Sequence, residues 1–228
     1  MREVVLDTET TGTDPTNGDR IVEVGLVELH RHVPTGNTLQ VYCNPQRSMP
    51  EGAFRVHGLS DQFLADKPLF AAVADEVCAF LGDARLVIHN AAFDVGFLNA
   101  EFARTGHPPI LPTRVVDTLS LARRKHPGAP ASLDALCARY GIDNSKRTRH
   151  GALLDAEILA EVYIELIGGR QADLGLNGGP GRGMVAAASA PRGPRVFVSR
   201  LTDAEREAHA AFVATLGDGA VWRGFGGA

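Results

Sequence analysis

The sequence contains few cysteines, and none of them form a closely spaced pair. Its three cysteines, Cys43, Cys78 and Cys137, lie far apart along the chain. This spacing excludes the short CxxC motifs that bind zinc or carry thiol redox chemistry. We therefore expect reduced thiols that fill the core, as is usual for a cytosolic protein.

Long apolar segments are also missing. No stretch approaches the roughly 18 apolar residues that a membrane-spanning helix needs. The chain opens with the charged residues Arg2 and Glu3 before a very short apolar run, which is unlike a secretory signal peptide. We expect a soluble protein that resides in the cytoplasm.

The chain lacks the excess of basic residues that is typical of nucleic-acid-binding proteins. It has 23 Lys and Arg against 27 Asp and Glu, which gives a formal net charge of −4. This balance argues against a nucleic-acid substrate unless some of the carboxylates hold metal ions. Bound cations would then be the largest local charges.

The 228 residues are 44% hydrophobic, which is enough for one well-buried domain and an appendage. Hairpin strands come first and strand–helix alternation follows, so the fold class is α/β with a mixed β-sheet flanked by helices. We assign this domain to residues 1–168. Apolar periodicity predicts strands over 4–6, 21–29, 39–43, 85–88 and 114–116, and helices over 68–81, 95–105, from 118, 132–141 and 152–167.

Composition changes sharply after the domain. Residues 168–183 hold seven glycines in 16 positions, followed by Ala-rich and Pro-containing sequence. Such a segment has little apolar surface to offset its ordering entropy, so residues 169–194 are predicted to be a flexible linker. Residues 195–228 form a small tail in which Thr202 and Glu205 make a capping-box pattern for a helix that ends near Gly217.

Acidic residues follow the first predicted strand. Asp7 and Glu9 are two positions apart, so alternation places both side chains on one face of the sheet. Two adjacent carboxylates repel each other unless a cation lies between them. The alternative is a strand that simply ends in solvent.

A second acidic position follows the strand over 85–88. Asp94 ends the string His-Asn-Ala-Ala-Phe-Asp, at an edge of the sheet where a helix begins. A helix N-cap is the alternative explanation for this aspartate.

The third position, Asp155, lies inside the last predicted helix, where aspartate is unfavourable without a partner. His150 cannot share its helical face at a spacing of five residues. We place His150 on the preceding loop, free to reach inward, although a lone histidine there would otherwise be an ordinary surface residue.

Together, four acids and one histidine from three distant segments can meet at one sheet edge. Oxygen ligands suit Mg²⁺ or Mn²⁺ rather than zinc. Two such ions about 3.5–4 Å apart can clamp the attacking and leaving oxygens of a phosphodiester. The neutral imidazole of His150 can accept the proton of the attacking water near pH 7.

The strings Leu-Asp-Thr-Glu-Thr-Thr-Gly (6–12), His-Asn-Ala-Ala-Phe-Asp (89–94) and His-Gly-Ala-Leu-Leu-Asp-Ala (150–156) resemble the three motifs of the DEDDh (DnaQ-type) 3′→5′ exonuclease family. Further strings at 56–58, 132–140 and 142–148 are similar to its proofreading members, which serve bacterial DNA polymerase III. The resemblance covers residues 3 to about 167 densely and the last 30 more loosely.

This resemblance implies a ribonuclease-H-like fold and a metal-dependent 3′→5′ DNA exonuclease. It implies two divalent ions held by Asp7, Glu9, Asp94 and Asp155, with His150 as general base. The substrate-binding residues that it implies are Asp7, Glu9, Thr10, Val56, His57, Asn90, Phe93 and Asp155.

The resemblance also implies partners. The tail over 195–228 resembles the segment that binds the catalytic (alpha) subunit of DNA polymerase III. Gln171, Leu174 and Leu176 resemble the short peptide by which bacterial replication proteins bind the sliding clamp, with a plain linker as the alternative. Two basic runs, 123–126 and 146–150, are candidates to hold the DNA backbone.

Two other functions remain open at this stage. An RNA-trimming exonuclease of the same family would have the same carboxylates, because discrimination depends on the surroundings of the 2′-hydroxyl. A non-catalytic subunit that bridges polymerase and clamp would explain the linker and tail. The intact motifs argue against that second alternative, and the tethered tail argues against the first.

Overall fold

A computed structural model describes residues 1–145, 147, 149–168 and 202–216. The chain divides into two compact units, Met1–Leu176 and Asn177–Ala228. The first unit carries the sheet and its helices, and the second carries one described helix.

The strands are β1 (Arg2–Thr10), β2 (Ile21–His30), β3 (Val33–Tyr42), β4 (Arg85–Ile88) and β5 (Val115–Asp117). The helices are α1 (Glu51–His57), α2 (Asp61–Leu64), α3 (Phe70–Leu81), α4 (Ala91–Thr105), α5 (Thr118–Lys125), α6 (Leu133–Tyr140), α7 (Ala152–Leu166) and α8 (Asp203–Thr215). Short 3₁₀ turns lie at Pro15–Asn17 and Pro112–Arg114.

The five strands form one sheet in the order β3-β2-β1-β4-β5. The central strand β1 is antiparallel to β2 and parallel to β4. The predicted mixed sheet flanked by helices is therefore confirmed. Val4, Val5 and Leu6 of β1 are fully buried, as expected for a strand covered on both faces.

Alternation along β1 divides the core into two layers. Val4 and Leu6 face the cluster that includes residues of α3 and α4. Val5 faces the other way, toward Ala156 and Leu159 of α7. The sheet thus lies between α3–α4 on one face and α7 on the other, and α5 and α6 pack against α7 in a third cluster.

The sequence predicted most of these elements but missed α1 and α2. Those two helices have only seven and four residues, too few for a periodic apolar pattern to be recognised. Two predicted starts were also wrong: α4 begins at Ala91 rather than at 95, and α3 at Phe70 rather than at 68. The short strand predicted at 4–6 is part of a nine-residue strand, because its polar second half carries no apolar run.

The cysteines and the helix of the tail have the states that the sequence predicts. Cys43, Cys78 and Cys137 are all free thiols, as expected. The capping box of α8 forms as predicted, with Glu205 N bonded to Thr202 Oγ1 and Thr202 N bonded to Glu205.

The linker over 169–194 and most of the tail lie outside the described residues. None of the helices in the described part of the chain is long and apolar enough to cross a membrane.

Gly25 allows α7 to approach the sheet closely. It pairs with Asp7 across the β1–β2 ladder. A Cβ at this position would lie 2.2 Å from Ala152 C and 2.2 Å from Leu153 N, the backbone of the first turn of α7. Real side chains do not approach backbone atoms so closely, so only glycine lets this helix begin directly above β2.

We predict that Gly25→Ala lowers the free energy of unfolding by about 1–3 kcal/mol, because the added methyl group must push α7 away from the sheet. Gly96→Ala is the matched control, since a Cβ there meets nothing within 4 Å. It lies inside α4 and should stabilise the protein by about 0.5–1 kcal/mol through helix propensity. Urea denaturation measures both changes, and equal effects would contradict the close-approach argument.

Candidate active site

At one edge of the sheet, β1 extends beyond the end of its neighbour β4. Pairing between β1 and β4 stops at Leu6 and Ile88, whereas β1 continues to Thr10. Asp7 and Glu9 therefore lie beyond the end of β4. The first turn of α4, which follows β4, and the first turn of α7 lie at the same edge and supply Asp94 and Asp155.

The structure brings the four predicted acids into one electrostatic cluster. Desolvation raises the pKa of Asp7 well above its usual range, and the negative charges of Asp94, Glu9 and Asp155 raise it further. Burial raises the pKa of Glu9 to about 8, with a further contribution from Asp155. Each carboxylate thus destabilises the ionised form of its neighbours.

Glu9 is 7% exposed, and its Oε1 atom is buried without a hydrogen-bond partner among the described residues. Glu9, His150 and Asp155 each present a donor atom within 4.8 Å of the others. A buried carboxylate oxygen that lacks a donor, surrounded by further carboxylates, fits a divalent cation with oxygen ligands.

Asp94 is 3% exposed. Thr8 Oγ1 donates a hydrogen bond of 2.7 Å to Asp94 Oδ1. Burial raises the pKa of Asp94 to about 7, although the bond from Thr8 opposes the shift. The N-cap alternative for Asp94 is wrong, because Asn90 occupies the N-cap of α4 with a left-handed backbone at φ 62°.

Asp155 has a partner that the sequence did not identify. Arg147 Nε lies 2.5 Å from Asp155 Oδ1 and Arg147 Nη2 lies 2.9 Å from Asp155 Oδ2. Arg147 Nη1 also donates to Asp134 Oδ1 at 2.8 Å. This bidentate pair neutralises one of the four carboxylates and fixes its orientation.

His150 lies on the loop before α7, as predicted. Its Nδ1 atom is 3.3 Å from Asp155 Oδ2 and 2.9 Å from Arg147 Nη2. The backbone N–H of His150 donates to Val56 O at 3.2 Å, which ties this loop to α1. The imidazole is about half exposed, at 47%, so it can contact both the carboxylates and a ligand in solvent.

A cavity of about 550 Å³ opens beside the carboxylates. Of the predicted substrate-binding residues, Glu9, Thr10, Val56, His57 and Phe93 line it. The remaining lining residues are Thr8, Thr11, Gly12, Thr13, Asp19, Pro50, Gly52 and Ala53.

Asn90 does not join this lining. It is exposed at the start of α4, where its backbone N–H donates to Asp117 Oδ1 at 3.1 Å. Asparagine tolerates the left-handed backbone that Asn90 adopts better than most residues do. The structure therefore gives Asn90 a local structural role and does not place it at the cavity.

His57 ends α1 and is buried at 6% exposure. Its Nδ1 atom accepts a hydrogen bond of 3.0 Å from Leu59 N, and its Nε2 atom has no partner among the described residues. Burial lowers the pKa of His57. The ring is therefore neutral near pH 7 and offers an Nε2–H donor to a ligand in the cavity.

The two basic runs have different surroundings. Lys125 donates to the backbone oxygens of Glu165 and Leu166 at the end of α7, which gives the first run a structural role. In the second run, Arg147 and Arg149 line a further cavity of about 380 Å³ together with His150. Residues 146 and 148 of this run lie outside the described residues.

Sequence reasoning missed Thr8 as a partner of Asp94, Arg147 as a partner of Asp155, and Asp134 as a second partner of Arg147. Thr8 lies between Asp7 and Glu9 but faces the other side of β1, and no sequence pattern connects it to a helix 86 positions away. The basic run 146–150 predicts phosphate binding for Arg147, whereas the structure pairs Arg147 with the carboxylates of Asp134 and Asp155.

Comparison with known proteins identifies the family of the chain. The exonuclease family model (RNase_T) matches residues 4–163. The chain is 52% identical over 174 residues to the DNA polymerase III subunit epsilon of Rickettsia conorii, covering 75% of this chain and 76% of that protein. It is 53% identical over 176 residues to that of Escherichia coli, covering 74% and 72%.

Solved structures give the same result. Exonuclease X in complex with 5′-overhanging duplex DNA aligns with a TM-score of 0.54 and 26% identity, over 73% of this chain and 91% of that one. Escherichia coli exonuclease I in its zinc-bound complex with single-stranded DNA aligns with a TM-score of 0.65 at 21% identity, over 75% and 41%, and supports the fold alone.

A divalent-metal requirement is characteristic of this family, and the acidic cluster around Glu9 fits such an ion. The predicted 3′→5′ exonuclease is confirmed at the level of the family. On the match of the exonuclease domain and on identity above 50% across most of both chains, the protein belongs to the exonuclease family and, within it, to the epsilon subunits of DNA polymerase III.

Proposed function

We propose that this exonuclease removes nucleotides singly from the 3′ end of DNA during replication, using two divalent cations, Mg²⁺ or Mn²⁺. The ligands are Asp7, Glu9, Asp94 and Asp155. The observation that carries the proposal is the convergence of these carboxylates from three segments at one sheet edge, where desolvation raises the pKa values of Asp7, Glu9 and Asp94 and like charge raises those of Asp7 and Glu9 further.

When bound, the two cations would stabilise the attacking and leaving oxygens of the phosphodiester. His150 accepts the proton of the attacking water, whose oxygen forms a bond to phosphorus while the 3′-oxygen of the preceding nucleotide leaves. Its half-exposed position and its distance of 3.3 Å from Asp155 support this assignment. The nearby carboxylate stabilises the imidazolium that forms.

The larger cavity takes the 3′-terminal nucleoside. Thr10, Val56, His57 and Phe93 line it beside Glu9, so an apolar wall faces a base while polar groups face the sugar. The unpartnered Nε2 of His57 supplies a hydrogen-bond donor to the terminal nucleotide. Asp7, Asn90 and Asp155 lie outside this lining. Asp7 and Asp155 stay in the proposal as metal ligands, whereas Asn90 stays only as a structural residue at the start of α4.

The two alternative functions, RNA trimming and non-catalytic bridging, have less support. The curated relatives are named as DNA polymerase III subunits, and exonuclease X was solved with DNA, which favours DNA over RNA trimming. A non-catalytic bridging subunit would not need an acidic cluster that raises the pKa of its own members. Digestion of a mismatched primer–template, compared with a matched one and with single-stranded RNA, separates the three functions.

We also propose that the tail over 195–228 binds the catalytic (alpha) subunit of DNA polymerase III. Its described helix α8 is capped at Thr202, and Phe212 and Leu216 are 61% and 46% exposed. Apolar side chains exposed on a capped helix are available for a partner surface. Docking of Gln171, Leu174 and Leu176 on the sliding clamp stays a prediction, since these residues lie outside the described part of the chain.

Asp7→Asn should abolish 3′→5′ digestion, because it removes a ligand that is central to the cluster. It should leave the melting temperature in metal-chelating buffer unchanged or higher, since one repelling charge is lost. Differential scanning calorimetry and a fluorescent primer assay measure the two effects. Asp83→Asn, at an exposed carboxylate, is the control and should change neither. Near-normal digestion by the Asp7 variant would refute the metal-ligand assignment.

His150→Gln should reduce the turnover rate about 10²–10⁴-fold, the usual contribution of a general base. Mn²⁺ binding measured by isothermal titration calorimetry should remain close to that of the wild type. His30→Gln, at an exposed position on β2, controls for loss of a histidine as such. Loss of metal binding together with turnover would instead make His150 a metal ligand, an outcome that its position near Glu9 and Asp155 makes worth measuring.

A chain ending at Gly168 should keep full nuclease activity on single-stranded DNA, because all proposed catalytic groups lie at or before Asp155. It should lose its affinity for the catalytic polymerase subunit in co-purification. The segment that joins the two parts would then act by raising the local concentration of the nuclease near the primer end. Equal retention of the full-length and shortened chains would assign the contact to the nuclease domain.

A further inference from the structure

A second cavity of about 380 Å³ lies next to the first and is much more basic. We call it the arginine groove, and its lining residues are Arg55, Val56, Asp134, Arg147, Arg149 and His150. Val56 lines both cavities, so the two are adjacent. His150, the proposed general base, lies on the wall of the groove.

The positive charges of the groove are not equally available. Arg147 is held by Asp155, and its Nη1 also bonds Asp134. Its charge is thus compensated within the protein. The same bond offsets the single carboxylate of the groove, so Arg55 and Arg149 supply its remaining charge.

Arg55 forms only a weak ion pair with Glu51. Their atoms are 3.8 Å apart, and the two side chains are 73% and 83% exposed. Such an exposed pair contributes little and can be exchanged for a stronger anion at small cost. Arg55 is therefore available to an incoming phosphate.

Arg149 is positioned by α1 rather than by a carboxylate. Its guanidinium lies 6.0 Å from the centre of the Phe54 ring. Its side chain also occupies the space beside Gly58, where a Cβ would lie 2.2 Å from Arg149 Nη1. Packing against an aromatic ring and a glycine orders the guanidinium while leaving its hydrogen-bond donors open.

These two arginines lie on a path that is open to the upstream DNA strand. If the terminal nucleoside fills the first cavity, the scissile phosphate lies at the carboxylates and His150. The arginine groove has His150 in its lining and shares Val56 with the first cavity, so it can receive the next part of the strand. Arginine binds phosphate in the planar, bidentate manner that suits a sugar–phosphate backbone.

We infer that Arg55 and Arg149 bind backbone phosphates of the single strand upstream of the scissile bond. This inference rests on the proposed function, since it assigns the 3′ end to the first cavity. The groove recognises charge and not base sequence. It also accounts for how a chain with an overall net charge of −4 can retain a polyanion beside an acidic site.

The test compares two substrates with and without an upstream phosphate. One is a short single-stranded oligothymidylate, and the other is the p-nitrophenyl ester of thymidine 5′-monophosphate, which contains a single phosphate. The full-length double variant Arg55→Gln/Arg149→Gln should raise KM for the oligonucleotide about tenfold, the combined effect of two exposed charge contacts. Its kcat, and both constants for the ester, should stay within about twofold of the wild type.

Salt dependence gives a second readout. In chelating buffer, fluorescence anisotropy with the labelled oligothymidylate measures binding without turnover. The slope of the logarithm of the association constant against the logarithm of the salt concentration should become less steep by about 1.4 in the double variant. This is the change expected for two lost phosphate contacts to a single strand. Arg31→Gln, exposed in the turn between β2 and β3 and outside the lining of both cavities, is the matched control and should retain the wild-type slope.

Other outcomes would overturn the inference. Equal impairment on both substrates would mean that the arginines support the catalytic cluster rather than the upstream strand. Unchanged KM and salt slope would mean that the strand leaves by another route. A failure of the proposed function looks different. The wild type would then hydrolyse neither substrate, while the double variant would still bind the oligonucleotide more weakly and with a smaller salt dependence. That result would support phosphate binding by the groove and contradict the nuclease activity.

Discussion

Repulsion among buried carboxylates is the constraint on which the rest of the site depends. Burial raises the pKa values of Asp7, Glu9 and Asp94, and the charges of neighbouring carboxylates, Asp155 among them, raise those of Asp7 and Glu9 further, so the fold must oppose the tendency of these groups to separate. Arg147 neutralises Asp155 through two hydrogen bonds. Asp94 and Asp155 also lie in the first turns of their helices, where the helix dipole favours negative charge. The remaining charge around Glu9 is what a divalent cation would balance.

The sheet supplies the rigidity that this arrangement needs. β1 is hydrogen-bonded on both sides up to Leu6, and beyond that point it loses β4 while keeping β2. The acids therefore lie on an ordered strand beside an open edge, which admits α4 from one face and α7 from the other. Gly25 lets α7 begin close to β1. The precision of the site thus follows from packed elements and not from loops, apart from the loop that carries His150.

The net charge of the whole chain does not describe the charges around the site. The net charge of −4 argues against a nucleic-acid substrate, but much of the negative charge near the site is concentrated in the acidic cluster. Arg55 and Arg149 line the second cavity together with His150. A DNA strand bound as proposed would therefore contact cations at the acidic cluster and guanidinium groups in the arginine groove. For this protein the position of charges informs function better than their sum.

The sequence by itself determined the chemistry and most of the fold. Asp7, Glu9, Asp94, His150 and Asp155 were identified from local motifs, and the strands over 21–29 and 85–88 from apolar periodicity, because each depends on neighbours along the chain. Only the tertiary structure decided the partners of these groups. The bond Thr8–Asp94 and the approach of α7 over Gly25 join residues that are far apart in the sequence. The bond Arg147–Asp155 links a loop to the first turn of the next helix, and Asn90 lies outside the cavity. No local pattern encodes such contacts, since they arise only when packing brings separate elements to one edge of the sheet.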